Sequence, residues 1–345
     1  MRTDLFDYHL PPELIAQTPG PRGAARLLVL HRRTGEIEHR CVADLPLYLS
    51  SGDVIVLNDT RVSARRLEAR RDNGLAAEVL LIRRIDSVRW EALVRPGKAL
   101  RMGRTLQLIA PTSDQPCITA QVVGITHEGG RILEIADEAA AADLATWGAT
   151  PLPPYIHTAL PPSQEARYQT VYARHDGSAA APTAGLHVTP EMLEQLTARG
   201  VGRADLTLHI GIDTFRPVRA DDIEAHSMHG EFITVSAQTA ATIERAPGRV
   251  VAIGTTSVRA LESAAQHATE GSRIAAYHGE TRLFISPGYR FRIVDAILTN
   301  FHLPKSTLLM LISAFAGRDA VMNAYGQAIQ HGYRFFSFGD AMLIV

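Results

Sequence analysis

The 345-residue chain is long enough to bury a substantial core, and its length suggests two domains. With 46% hydrophobic and 21% charged residues and a net charge of −1, its composition is that of a globular protein, and the overall balance predicts neither nucleic-acid nor membrane binding. Cys41 and Cys117 lie far apart and form no metal or redox motif, which fits a reducing compartment. The opening MRTDLFDYHLPPELIAQTP has no apolar stretch behind a basic start, and the longest apolar run, Leu308–Ile312, is far too short to span a bilayer; a cytoplasmic protein is expected.

The first legible element is DVIVLNDTRV, an apolar strand over Val54–Leu57 that runs into the polar turn Asn58–Asp59–Thr60. From about Ser63 to Ile135 the texture changes to short alternating segments: ARRLEAR, AEVLLIR, RWEALV, RTLQLI, ITAQVV and RILEI. They are broken at Asn73–Gly74, Pro96–Gly97, Pro111 and Gly129–Gly130. About six short strands at even spacing predict a small antiparallel β-barrel. Between Arg61 and Arg104, eleven Arg and one Lys face five acids, a local excess of 12 − 5 = +7. That excess suits either a solvated face or a surface that meets a polyanion. The proline-rich LPPYIHTALPP (Leu152–Pro162) reads as a rigid linker back to the first domain. The expected organisation is an α/β domain over 1–61 and 152–345, interrupted by a barrel over 62–151.

In PTAGLHVTPEMLEQLTARG, Thr189 is a suitable helix N-cap, Pro190 suits the first helical position and Gly200 is placed to end the helix. His187 thus falls just before a helix N-terminus, where a neutral imidazole is favoured. It is either a buried, hydrogen-bonded histidine or part of a site. ADLTLHIGIDTFRPV alternates, placing Leu206, Leu208, Ile210 and Ile212 on one face and Thr207, His209, Gly211 and Asp213 on the other. His209 and Asp213 either share a ligand-facing side or lie on a solvated edge. AHSMHGEF brings His226, His229 and Glu231 close in sequence, but at no metal-site spacing, and a mobile polar loop is the expectation.

RVVAIGTTSVRALES predicts a strand over Val250–Ile253, then a turn at Gly254, Thr255, Thr256 and Ser257 that opens a helix with Arg259 one turn in. Backbone amides there can hold a carboxylate or phosphate, or the hydroxyls simply cap the helix. It is neither a Walker A nor a dinucleotide fingerprint. In DAILTNFHLPKSTLLMLISAF, Asn300 and His302 sit at the carboxyl end of a strand, where open α/β sheets bind ligands, ahead of an apolar helix capped near Ser306.

Individually these signals are moderate; together they are specific. FDYHLPPELIAQTP, DVIVLNDTRVSARRL, PTAGLHVT, LHIGIDTFRPV, HSMHGEF, VVAIGTTSVRALES and TNFHLPKSTLLMLISAFAG, with FFSFGDAMLI at the end, resemble the signature blocks of the S-adenosylmethionine:tRNA ribosyltransferase-isomerases of queuosine biosynthesis, from Phe6 to Asp340. One departure is Asp213, where that family usually has Gly.

The resemblance implies transfer and rearrangement of the ribosyl moiety of S-adenosylmethionine onto the 7-aminomethyl-7-deazaguanine base at the tRNA wobble position. The products are epoxyqueuosine-tRNA, adenine and methionine. S-adenosylmethionine is then the co-substrate and tRNA the partner, with no metal, membrane or obligate protein partner implied. Such chemistry needs proton transfers beside the sulfonium, at the leaving adenine and at the attacking amine. His187, His209 and His302 are the candidates, with Asp59 and Asp213 as partners. Asn58 and Asn300 join the substrate-binding set. The methionine carboxylate would rest on Gly254–Ser257 or pair with Arg259, while Arg61 and the arginine-rich insert would meet tRNA phosphates. Two other readings compete. An RNA methyltransferase would carry a Gly-rich loop after its first strand, where NDTRV stands instead. A non-catalytic RNA-binding protein leaves the strand-end polar clusters unexplained.

Overall fold

The computed structural model describes residues 1–110, 117–126, 129–211, 218 and 220–345. Its frame is a nine-stranded mixed sheet in the order Tyr277–Thr281, Glu231–Val235, Gly202–Leu208, Val54–Asn58, Val250–Ile253, Ala296–Asn300, Ala341–Ile344, Arg26–Leu30, Ile37–Cys41. The four strands from Gly202–Leu208 to Ala296–Asn300 are parallel, so Asn58, Ile253 and Asn300 end on the same side. Ala341–Ile344 enters antiparallel, with Ala341 opposite Asn300, which brings the chain just before it to that same edge.

Every residue of Val54–Asn58, Val250–Ile253 and Ala296–Asn300 is buried, because both faces of the sheet are covered. Val54, Val56, Val250 and Ala252 pack with the helices Ala237–Arg245, Thr255–Gln266, Thr307–Ala316 and Arg318–Gln330. Ile55, Leu57, Val251 and Ile253 pack on the other side with Met192 and Leu196 of the helix Pro190–Ala198 and with Val42 and Leu45 of the 3₁₀ stretch Val42–Tyr48. Each such side chain contributes roughly 1.5–3 kcal/mol by leaving water, which fixes the strand ends as a rigid rim.

The expected barrel is present and closed, in the order Arg131–Glu134, Arg89–Arg95, Ala76–Arg84, Arg65–Arg71, Thr105–Leu108, Ile118–Ile125. Each of the six alternating segments became one strand. Leu67, Ala69, Val79, Leu81, Leu106, Leu108, Ala120, Val122 and Leu133 point inward at period two. A helix that the pattern did not announce, Glu138–Asp143, is capped by Asp137 and accepts the Trp90 indole N–H at the Ala141 carbonyl, 2.9 Å.

Two local expectations changed. The proline-rich segment is more than a spacer: Ile156 and Leu160 are buried with Ala16, Val62, Tyr168, Ala181, Leu186 and Phe338. Its prolines deny it regular hydrogen bonding, but its apolar side chains pack. The AHSMHGEF stretch also differs from a mobile loop, because Glu231 begins a strand and is buried against Arg259. No helix among the described residues is long and apolar enough to cross a membrane.

Candidate active site

At the carboxyl edge of the parallel strands lies a cleft of about 610 Å³. Gly254, Thr255 and Thr256 form one wall, Thr299, Asn300 and His302 another, and Pro182, Thr183 and Ala184 a third, with Tyr155, Phe336 and Ser337 completing the lining. This is where open α/β sheets place their ligands.

The Gly254 wall follows from backbone geometry. Gly254 has φ +94°, a conformation that favours glycine, and it serves as the N-cap of Thr255–Gln266 without offering a side-chain oxygen. The first helical amides therefore face the cleft unclaimed by a cap, in a setting that attracts an anion. The Ser257 hydroxyl turns back to the Ile253 carbonyl (2.8 Å), so Gly254, Thr255 and Thr256 are the part of the predicted turn that reaches the cleft.

Asn300 is the best-defined polar group. Its Nδ2 donates to the Phe336 carbonyl and to His187 Nε2, both at 3.1 Å. A carbonyl can only accept, so this contact fixes the amide orientation. With both Nδ2 hydrogens committed, His187 Nε2 must be an acceptor, and the neutral ring carries its proton on Nδ1. Asn300 Oδ1 is left buried without a partner among the described residues. A buried, unmatched acceptor costs about 1–3 kcal/mol, which a ligand N–H would recover. Phe336, whose carbonyl holds Asn300, is a non-glycine residue at φ +71°, a strain of the kind that gathers at functional sites.

His302 is buried. Its Nε2 shares a 2.8 Å hydrogen bond with the Thr299 hydroxyl, and its backbone N–H donates to the Tyr325 hydroxyl at 2.8 Å. Burial pushes its pKa down to about 3. His187, behind Asn300, is pushed down to about 4, first by burial and then by Arg334 and Arg22. Both are neutral at pH 7.

His209 stands in a different place. Its Nδ1 shares a 2.8 Å hydrogen bond with the Thr60 hydroxyl, and its ring lies against Gly177, where an added Cβ would come within 2.8 Å. Asp59, buried nearby, accepts from the Thr207 hydroxyl at 2.7 Å and faces His175 Nε2 at 3.5 Å. Burial raises the pKa of Asp59 and lowers that of His209; His175 lowers His209 further, and Asp59 opposes the drop. Asn58 joins this corner to the cleft: its amide donates to the Leu208 carbonyl (3.0 Å) and the Thr256 hydroxyl (3.3 Å) and accepts from the Thr60 and Leu208 amides.

Of the sequence candidates, Gly254, Thr255, Thr256, Asn300 and His302 come together in the cleft, and His187 and Asn58 support it from behind. Asp59 and His209 form the adjoining corner. Arg61 lies exposed beside it, 3.9 Å from Asp176. Arg259 is drawn away: its guanidinium is buried against Glu231 and donates to the Leu283 and Thr281 carbonyls. It is therefore spoken for and does not wait for a carboxylate. Asp213 lies outside the described residues. Thr183, Thr299, Tyr155 and Ser337 carried no sequence signal beyond their neighbours. In the barrel, Arg66, Arg83, Arg89 and Arg104 pair with Glu78, Glu91, Asp86 and Asp72, acids already set against them in the count. Only Arg65, with Glu165, and Arg61, with Asp176, meet acids from outside it, so most of the excess stands.

The chain matches the family described as queuosine biosynthesis protein over residues 3–344. It is 53% identical to the S-adenosylmethionine:tRNA ribosyltransferase-isomerase of Symbiobacterium thermophilum and 49% identical to that of Thermotoga maritima, each across 100% of both chains. It is also similar to the crystal structure of the S-adenosylmethionine tRNA ribosyltransferase of Thermotoga maritima. That similarity has a TM-score of 0.55 at 39% identity and covers 99% of this chain and 100% of the other.

Proposed function

The chain belongs to the queuosine biosynthesis protein family, and from that premise we propose that the cleft at the strand ends moves the ribosyl moiety of S-adenosylmethionine onto tRNA and rearranges it there. The full-length identity of 53%, with neither chain overhanging, carries the reaction. The acceptor is the 7-aminomethyl-7-deazaguanine base at the wobble position, and epoxyqueuosine-tRNA, adenine and methionine are released. The enzyme works in the cytoplasm, where its RNA resides. Residues 1–61 and 152–345 form the catalytic domain and 62–151 the inserted barrel.

Within the cleft, the amides at Gly254–Thr256 receive the methionine carboxylate, with the helix end supplying the charge that Arg259 does not. Asn300 Oδ1 accepts an N–H of the substrate. His302, neutral and locked by Thr299, presents a fixed ring to the reacting atoms. The Asp59–His209 corner, where an imidazole and a carboxylate feel one another, exchanges the protons that the reaction moves beside the sulfonium and at the amine. His187 acts through Asn300 as a positioning residue. The wobble base belongs to a single-stranded loop and enters without melting a duplex.

The test is incubation with S-adenosylmethionine and tRNA bearing the aminomethyl base, followed by nucleoside mass analysis. The expected outcome is the epoxide-bearing nucleoside with equimolar adenine and methionine. S-adenosylhomocysteine in their place would assign a methyltransferase, and an unchanged nucleoside would refute the reading.

A further inference from the structure

Behind the Asn300–His187 hydrogen bond is a second, partly open pocket, lined by Arg22, Arg167, Arg334, His187, Gly20 and Ser337 among others. Three guanidinium groups reach it from segments distant in sequence. Among the described residues none of the three forms an ion pair. Arg22 is held by the carbonyls of Leu186 (3.2 Å), Ala166 (3.1 Å) and Gln169, and Arg167 by that of Gly20. These carbonyls orient the groups without neutralising them. Arg167 Nε is buried with no partner among the described residues. The side chain of Arg334 makes no hydrogen bond among the described residues, and Gly20 leaves it room: a Cβ there would stand 3.2 Å from its Nη2. The nearby carboxylate of Asp340 is occupied, accepting the backbone amides of Arg26 (2.9 Å) and Arg334 (2.8 Å).

The charges act on one another. Burial and Arg167 both lower the pKa of Arg22, and Arg334 and Arg22 add to the burial that lowers the pKa of His187. With Nε2 engaged by Asn300, the His187 ring has its Nδ1 hydrogen left to donate. The cavity thus offers three cations and a neutral N–H donor, with no carboxylate in its lining among the described residues, and Ser337 lines both this cavity and the cleft.

We propose that Arg22, Arg167 and Arg334 form a phosphate site that anchors the RNA strand next to the nucleotide whose base enters the cleft. This rests on the tRNA reading above and gives the RNA a specific handle outside the barrel. The alternative oxyanion, the carboxylate of S-adenosylmethionine, fits the charge poorly, because an ammonium and a sulfonium on the same molecule would face three arginines without an acid. A phosphodiester brings its negative charge alone, and guanidinium is the group best matched to it.

Arg334→Gln is the discriminating variant, since it removes a charge that supports no backbone, and Arg334→Lys retains the charge. The probe is an anticodon stem-loop RNA, with Kd measured over a salt series beside the steady-state KM values for tRNA and S-adenosylmethionine. Arg334→Gln is expected to weaken RNA binding about tenfold and to reduce the salt slope by about 0.7. KM for S-adenosylmethionine and Tm should stay unchanged, with Lys restoring most of the slope. Unchanged RNA affinity would overturn the proposal, and a raised KM for S-adenosylmethionine with unchanged RNA affinity would assign the cavity to the carboxylate. Binding is read separately from product, so RNA affinity that falls in a protein making no epoxide would sink the reaction and keep the site.

Discussion

The wall of the cleft and the corner beside it use the same side chain in opposite ways. On the wall and just behind it, His302 and His187 are buried, and each has one ring nitrogen tied to an uncharged neighbour, Thr299 or Asn300. No carboxylate appears among the causes of their shifts, and burial leads both. In the corner, His209 is only half buried and shares its surroundings with Asp59, Asp176 and His175. A desolvated imidazole without an acid is a fixed neutral dipole at any physiological pH. One that feels a carboxylate keeps a protonation equilibrium that substrate can bias. The difference separates two imidazoles kept neutral by burial from one that shares its surroundings with carboxylates.

The largest effect that would break this division is on His302. His302→Ala should lower the single-turnover rate by about 10²–10³-fold, as loss of a preorganised polar group does, while the pH at which activity falls on the acid side stays where it is. His302→Asn, closer in size, separates the lost ring from a collapsed cleft, and both variants are checked for Tm. A rate within a few-fold of wild type would remove His302 from the chemistry.

A smaller effect appears in stability. The unfolded chain protonates a histidine near pH 6.5, whereas the folded protein resists until about 4 at His187 and about 3 at His302. Above pH 6.5 neither state binds the proton and these residues add no pH dependence. Below it the unfolded state alone is protonated, so stability falls as the pH drops toward those folded values. At pH 5 each contributes a loss of about 2 kcal/mol relative to pH 7. Urea titrations of wild type, His187→Asn and His302→Asn at pH 7 and 5 measure it. Each variant should flatten the slope, and a matching substitution at His209 should flatten it less.

Much of the scaffold was legible because local physics dictates it. The six barrel segments alternate at period two between turn residues, the central strands are continuously apolar, and Thr189 and Ser306 cap their helices by accepting from Met192 and Leu309 at 3.1 and 3.2 Å. The site was legible only in part, because its decisive contacts cross long stretches of chain. Asn300 and His187 are 113 residues apart. Arg22, Arg167 and Arg334 share no motif. Arg259 reads as a free cation one turn into a helix until a strand brings Glu231 to it. The barrel's charge count misses two partners for the same reason: Arg61 and Arg65 meet Asp176 and Glu165, outside the counted window. Spacing reveals what is near in the chain, while the ownership of a charge is decided by the fold.

Asp59 offers the finest test of the comparison, because its effect should be a displacement and not a loss. Its charge favours the protonated form of His209, against burial and His175, and its own pKa is raised by burial. If the corner exchanges protons, the acid limb of kcat/KM reports one or both groups in the free enzyme. Asp59→Asn removes the charge that favours protonated His209, so a limb set by His209 moves to lower pH, whereas an Asp59 that were itself the base would instead cost the rate. The limb set by His209 moves to lower pH, while Thr207 keeps a hydrogen-bond acceptor in the amide oxygen. His302→Asn should leave the limb in place, as should His187→Asn, whose ring titrates below the measured range. A limb that ignored Asp59 and followed His302 would reverse the assignment, placing proton exchange on the wall and geometry in the corner.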